Sequence, residues 1–318
     1  MVFNGHMADR STGSTQERLA YAVASLTDVG GALAGQLQTL AREPREHQAD
    51  SAAMLRRFAV QRLGQMLPGH VVTFGEFGPE GRPDPDDAPA PSSRLDDDAV
   101  RIVIDAPGSS LGSPLLPWGS VSLGLVQGHE PIGGVVMSTD RRDVFQGARG
   151  IGARHNNQPL DVEDVGAPAV LWAELPPEEE PAALVVARVL PRLAAQIGGG
   201  LRILGQPGLG MCHGLWGPYV HPGPTDSAIA ASAAIVLAAG GAAVRFDAGW
   251  GRRGIVSGTP RTVARWASTI AHVHDEEGRV LAPGALTADQ ELIALDVLPT
   301  TELVIDLTER DPREPQRR

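Results

Sequence analysis

Apolar residues between positions 17 and 41 recur at helical spacing, as Leu19, Val23, Leu26, Val29 and Leu33, and predict a helix there. A second helix is predicted over 50–67. Asp50 or Ser51 would cap it, and Leu55, Phe58, Val60, Leu63 and Met66 would form its apolar side. The pattern then turns extended. "HVVTFGEFG" (70–78) reads as a strand ending in a turn, and "VRIVID" (100–105) as a short apolar strand ending in Asp105. Between them, residues 79–98 are rich in Pro, Asp and Ser and read as a loop. Residues 118–160 predict four short antiparallel strands, with turns at Gln127-Gly128, Asp140-Arg141 and Asn156-Asn157.

The second half alternates. A helix is predicted over 183–197, a strand over 201–205, a short helix over 208–216, and a small-residue helix over 228–239. The strand 242–248 follows, and residues 254–273 read as strand, turn and helix. The longest uncharged stretch, 227–244, is mostly Ala and Gly and is broken by Gly240-Gly241. A membrane span needs about 20 strongly apolar residues, so this is expected to be a buried helix running into a strand, with no membrane partner. Residues 285–318 form an appendage with a strand at 291–307 and a charged tail. That strand is apolar enough to need cover, from its own lobe or from another chain, so a homodimer or a partner protein is expected.

The length of 318 residues suits one large domain or two lobes sharing a core. All 27 basic residues are Arg, and the net charge is −11, which argues against general nucleic-acid or anionic-membrane binding. The single Cys, Cys212, excludes an internal disulfide and a Cys-based zinc site. With no charged-then-apolar leader at the start of the sequence, it leads to the expectation of a cytoplasmic protein.

An acidic residue at the mouth of a buried strand makes Asp105 a candidate ligand-facing group; the alternative is a strand-end turn residue. After it, Gly108, Ser109 and Ser110 offer backbone N–H groups for an anion nest, or caps for the next segment. His213 and His221 flank "GLWGPYV" and are candidates for general acid or base, against a structural role. Arg252 and Arg253 are loop cations that would clamp a substrate anion or simply face solvent. "RLDDDAV" (94–100) is read as a solvated acidic run. The chain shows no Walker-type loop, no His-Glu zinc pattern and no Ser-His-Asp set.

Six ordered segments, "GEF" (75–77), "DAPGSS" (105–110), "GVV" (134–136), "ARGIGARHNNQPL" (148–160), "GQPGLGMC" (205–212) and "AIAASAAIVLAAGG" (228–241), give the chain its resemblance to a known family. Over about residues 17–270 it resembles the inositol monophosphatase superfamily of magnesium-dependent sugar and nucleotide phosphatases. That resemblance implies a layered α-β-α-β-α sandwich of the α/β class. An N-terminal α+β lobe (11–160) would face a C-terminal α/β lobe (161–284) across the active cleft, with an extension at 285–318. It also implies metal-holding carboxylates at Glu76 and Asp105, a hydroxyl at Ser110 near the attacking water, and Gly205 on the substrate side. Phe77, Gly108 and Ala228 stand where the family pattern has acids. Asp226, two positions before Ala228, is either a substitute ligand or the cap of the 228–239 helix.

With carboxylates missing, the leading expectation is a repurposed enzyme that needs no cofactor. It would act on a small phosphate or sulfate ester by elimination or intramolecular displacement, as a lyase or cyclase in specialised metabolism. Two alternatives stand beside it. One is a residual Mg²⁺-dependent phosphomonoesterase, with the ion on Glu76, Asp105 and Asp226. The other is a non-catalytic binding or scaffold subunit.

Overall fold

The computed structural model describes residues 14–40, 48–74, 100–105, 119–128, 130–162, 170–173, 190–191, 194–195, 200–203, 206–221, 226–249, 252–271 and 303–306. At 40, 48–53, 203, 226, 246–249, 252–253, 267–271 and 303–306 only the backbone is described. The loop expected at 79–98 and most of the helix expected at 183–197 lie outside these residues.

Helix α1 (Thr15–Leu40) starts where its sequence supplies a capping box. Ser14 Oγ accepts the Glu17 N–H at 3.2 Å, and Glu17 Oε2 accepts the Ser14 N–H at 2.7 Å. It packs beside α2 (Gln48–Met66). Their apolar sides, Leu26, Val29, Leu33, Leu37, Leu55 and Leu63, bury one face of a large sheet through Val72, Phe74, Ile102, Ile104, Leu123 and Leu125.

That sheet runs in sequence order through β1 (Val71–Phe74), β2 (Val100–Asp105), β3 (Ser120–Gln127), β4 (Glu130–Ser138), β5 (Val144–Ala148), β6 (Gly152–His155) and β7 (Gln158–Leu160). Only β1 and β2 pair in parallel. Residues 118–160 thus hold five strands where four were expected. The additional turn is at Arg149-Gly150, closed by the Ile151 N–H on the Ala148 carbonyl at 3.0 Å, with Gly150 at φ +75°. The turn between β6 and β7 puts Asn156 and Asn157 at φ +49° and +66°, the left-handed pair that a two-residue hairpin turn requires.

A second sheet is built from β8 (Val170–Ala173), β9 (Gly200–Ile203), β10 (Tyr219–His221), β11 (Ala242–Gly249) and β12 (Arg252–Gly258), in the order β11-β12-β10-β8-β9. Between the sheets lie α3 (Pro207–His213) and α4 (Asp226–Ala238). Their core joins Val103, Val126 and Val136 of the first sheet to Tyr219, Ala243 and Ile255 of the second. Helix α5 (Pro260–Ala271) packs on β11 and β12, burying Val263 and Trp266. The layers are therefore α, β, α, β, α, the sandwich expected from the sequence.

Two glycines set the depth of the middle layer. Gly124 and Gly134 face each other across β3 and β4. A Cβ on Gly134 would lie 2.6 Å from the Cα and carbonyl oxygen of Ala231, and one on Gly124 would lie 3.0 Å from the Ala230 Cβ. The small-residue run of α4 rests directly on this bare backbone, which explains why 228–239 is so rich in Ala.

Of the C-terminal segment expected as a strand at 291–307, the structure describes β13 (Leu303–Asp306), which pairs antiparallel with β1 at the edge of the first sheet. That pairing covers the outer edge of β1. Among the described residues, no helix is long and apolar enough to cross a membrane.

Candidate active site

Asp105 is the last residue of β2, half-buried, and it pairs directly with Ser122 of β3. Cross-strand partners share a face with their Cβ atoms roughly 5 Å apart. This face is the one covered by α3 and α4. The start of α3 is pinned to β3 by Gln206, whose Oε1 accepts from the Ser120 N–H and Ser120 Oγ, both at 3.2 Å. Two residues on, Gly208 lies against Ser122: a Cβ there would sit 2.3 Å from Ser122 Oγ and 3.5 Å from the Ala228 carbonyl oxygen. The strand end bearing Asp105, the Ser122 hydroxyl, the start of α3 and the first turn of α4 therefore converge.

Ser122 is 1% exposed, and its hydroxyl has no hydrogen-bond partner among the described residues. A buried polar group left unpaired costs about 1–3 kcal/mol. The start of α4 carries the positive end of its helix dipole, which favours an anion in the same corner.

The described group in this corner that suits a hard cation is the Asp105 carboxylate. Magnesium is commonly held by one or two carboxylates together with substrate phosphate, and it keeps several waters. The residues present fit one Mg²⁺ shared with a phosphate. Among the described residues, no cluster of three or more Asp, Glu, His or Cys side chains suits a cation, and Ala228, packed at 7% exposure, brings no side-chain oxygen.

Of the other residues singled out by sequence, Glu76, Gly108, Ser109, Ser110 and Gly205 lie outside the described residues. Asp226 is the first residue of α4, while Arg252 and Arg253 open β12 opposite Gly249 and Asp247; their side chains are likewise not described. His221 closes β10, half-buried, with its ring 6.5 Å from that of Tyr219.

His213 stands elsewhere. It ends α3 in a cluster that the sequence did not reveal. Asp143 Oδ1 is 2.9 Å from His155 Nε2, and Asp143 Oδ2 is 3.8 Å from His213 Nε2. Phe145 stacks on His155 at 4.3 Å between ring centroids, Trp172 stacks on His213 at 5.1 Å, and Trp216 leans on both histidines. Burial holds the His213 imidazolium below its ordinary pKa of 6.5, Asp143 works against that shift, and His155 adds to it. His213 is thus kept neutral, in surroundings distinct from those of Asp105. The partners come from positions 143, 155, 172 and 216, spacings that announce nothing in one dimension. Ser122 was overlooked for a similar reason, since its only linear signal is one polar residue in an apolar strand.

Comparison with known proteins bears on the family and the fold. The family model described as the inositol monophosphatase family matches residues 109–285, more than half of the chain. A search of curated protein sequences finds no match. Among solved structures, the chain is similar to an inositol monophosphatase from Anabaena, with 18% identity and a TM-score of 0.62, covering 82% of this chain and 99% of that one. It is similar to SuhB from Mycobacterium tuberculosis, with 19% identity and a TM-score of 0.60, covering 83% and 98%. It is also similar to the extragenic suppressor protein SuhB from Bartonella henselae, with 16% identity and a TM-score of 0.61, covering 79% and 100%. The match corrects the expectation that no cofactor is required, because members of this family are magnesium-dependent and the oxygen donors around Asp105 suit that ion. By its sequence match and by its layered fold, the chain belongs to the inositol monophosphatase family.

Proposed function

We propose that the chain is a Mg²⁺-dependent phosphomonoesterase acting on a small, anionic phosphate ester in the cytoplasm. The observation that carries this reading is the convergence of Asp105, Ser122, Gly208 and the first turn of α4 at one end of the sandwich, in a member of a phosphatase family. Asp105, joined by Glu76 through the resemblance, would hold the ion, with Asp226 as a further candidate. Bound there, magnesium would polarise the phosphate and lower the pKa of a nearby water. The chain's own part is positioning. The start of α4 orients the phosphate oxygens, and Ser110 is the resemblance's candidate for aligning the water. Water adds to phosphorus, the ester P–O bond breaks, and the alcohol leaves with a proton.

This reading takes precedence over elimination or intramolecular displacement, which have no support from the family match. Because Ala228 contributes no charge, the ion and the phosphate should bind together, each weakly alone. The deciding experiment is phosphate release from a panel of small phosphate monoesters, with Mg²⁺ or with EDTA. Turnover that needs Mg²⁺ and is lost in Asp105→Asn is the expected result. Turnover that persists in EDTA would overturn the reading, and inertness on every ester would leave the scaffold role in its place.

A further inference from the structure

We infer that Ser122 is a positioning residue of this site: its hydroxyl fixes the Asp105 carboxylate when the cleft holds a cation and phosphate. The inference rests on the reading of Asp105 as a metal-holding carboxylate.

Ser122 and Asp105 are direct partners in the β2–β3 pair, on the face covered by α3 and α4. At that spacing a serine hydroxyl reaches a carboxylate oxygen, and an ionised carboxylate accepts at about four lone-pair positions, so it takes this bond beside any other it makes. On its other side Ser122 pairs with Val136, which offers no side-chain acceptor. Above it stands Gly208, whose missing side chain leaves room for the hydroxyl: a Cβ at 208 would lie 2.3 Å from Oγ. The Ser122 hydroxyl is buried and without a partner among the described residues. An alanine would fill the same space without that cost, and so a polar group retained here points to a bond made in the loaded state. Groups that orient metal-holding carboxylates act in this way, setting affinity without touching the ion.

The test is titration calorimetry of the full chain with Mg²⁺ in the presence of inorganic phosphate, together with thermal unfolding without either. Ser122→Ala should weaken Mg²⁺ binding about tenfold or more while the melting temperature stays equal or rises, since an unpaired buried hydroxyl has been removed. Ser122→Cys keeps the shape but donates poorly, and it should weaken binding to a similar degree. Unchanged Mg²⁺ affinity in Ser122→Ala, or full affinity in Ser122→Cys, overturns the inference alone. A drop in melting temperature that accompanies the loss of binding also overturns it, because the hydroxyl would then be structural. If wild type takes up no Mg²⁺ with phosphate, the phosphatase reading fails and this inference fails with it.

Discussion

Asp105 and His155 stand at opposite ends of one row of cross-strand partners, Asp105–Ser122–Val136–Phe145–His155. Four strand spacings separate them, roughly 19 Å. Helix α3 lies along this row, with Gly208 against Ser122 and His213 beside Phe145. One short helix thus joins two polar centres of different character. The Asp105 end has hard oxygens and a helix start suited to an anion. The His155 end is an aromatic cluster around a single carboxylate.

Restoring an acid at position 228 should strengthen the Asp105 end. Ala228 sits in the first turn of α4, near Gly208 and Ser122. Ala228→Asp is expected to raise Mg²⁺ affinity at least tenfold by calorimetry, about 1.4 kcal/mol. Unchanged affinity would show that position 228 does not face the ion.

The His155 end should make stability pH-dependent. His213 has a lowered pKa in the folded chain, so the unfolded chain takes up its proton first as pH falls. Stability from this group is complete above the ordinary value of 6.5 and is lost as pH drops below it. The melting temperature should fall on acidification through this window, and His213→Gln should flatten the fall. Asp143→Asn should steepen it, since Asp143 supports the protonated form. A flat profile in the wild type would contradict this account.

The glycine seat of α4 should tolerate no side chain. Gly134→Ala drives a Cβ into the Ala231 backbone, which cannot rotate away. A loss of about 1–3 kcal/mol in chemical denaturation is expected, the usual cost of overpacking.

Removing residues 303–318 should uncover β1. Its backbone groups pair with β13 on the outer side, and a bare edge strand is a template for other chains. Light scattering should show association in the truncated chain beyond that of the full chain. A truncated chain that scatters like the full one would mean that another part of the chain protects β1.

The long elements were legible because their cores have a period. Helix α1 shows its apolar stripe, and α4 its small-residue run, within a few residues of the expected bounds. Strands β8 and β10 were missed: they are four and three residues long, lie inside the mixed second sheet, and have no room for alternation to show. The additional hairpin in 118–160 was hidden in "ARGIGAR", where one Gly serves the turn and another opens the next strand. At the site, Asp105 was legible as a charge ending an apolar strand. Ser122 was not, since its neighbours across the sheet are set by pairing register alone.

The pairing of β1 with β13 also bears on the order of folding. Val71 meets Asp306, more than two hundred residues later in the chain. On the ribosome, β1 emerges more than two hundred residues before the strand that closes its outer edge. Closing so long a loop adds little equilibrium cost, because that cost grows only logarithmically with length, but it places the step after the synthesis of everything between the two strands. Until residues 303–306 have been made, then, the nascent first sheet presents an open side at β1.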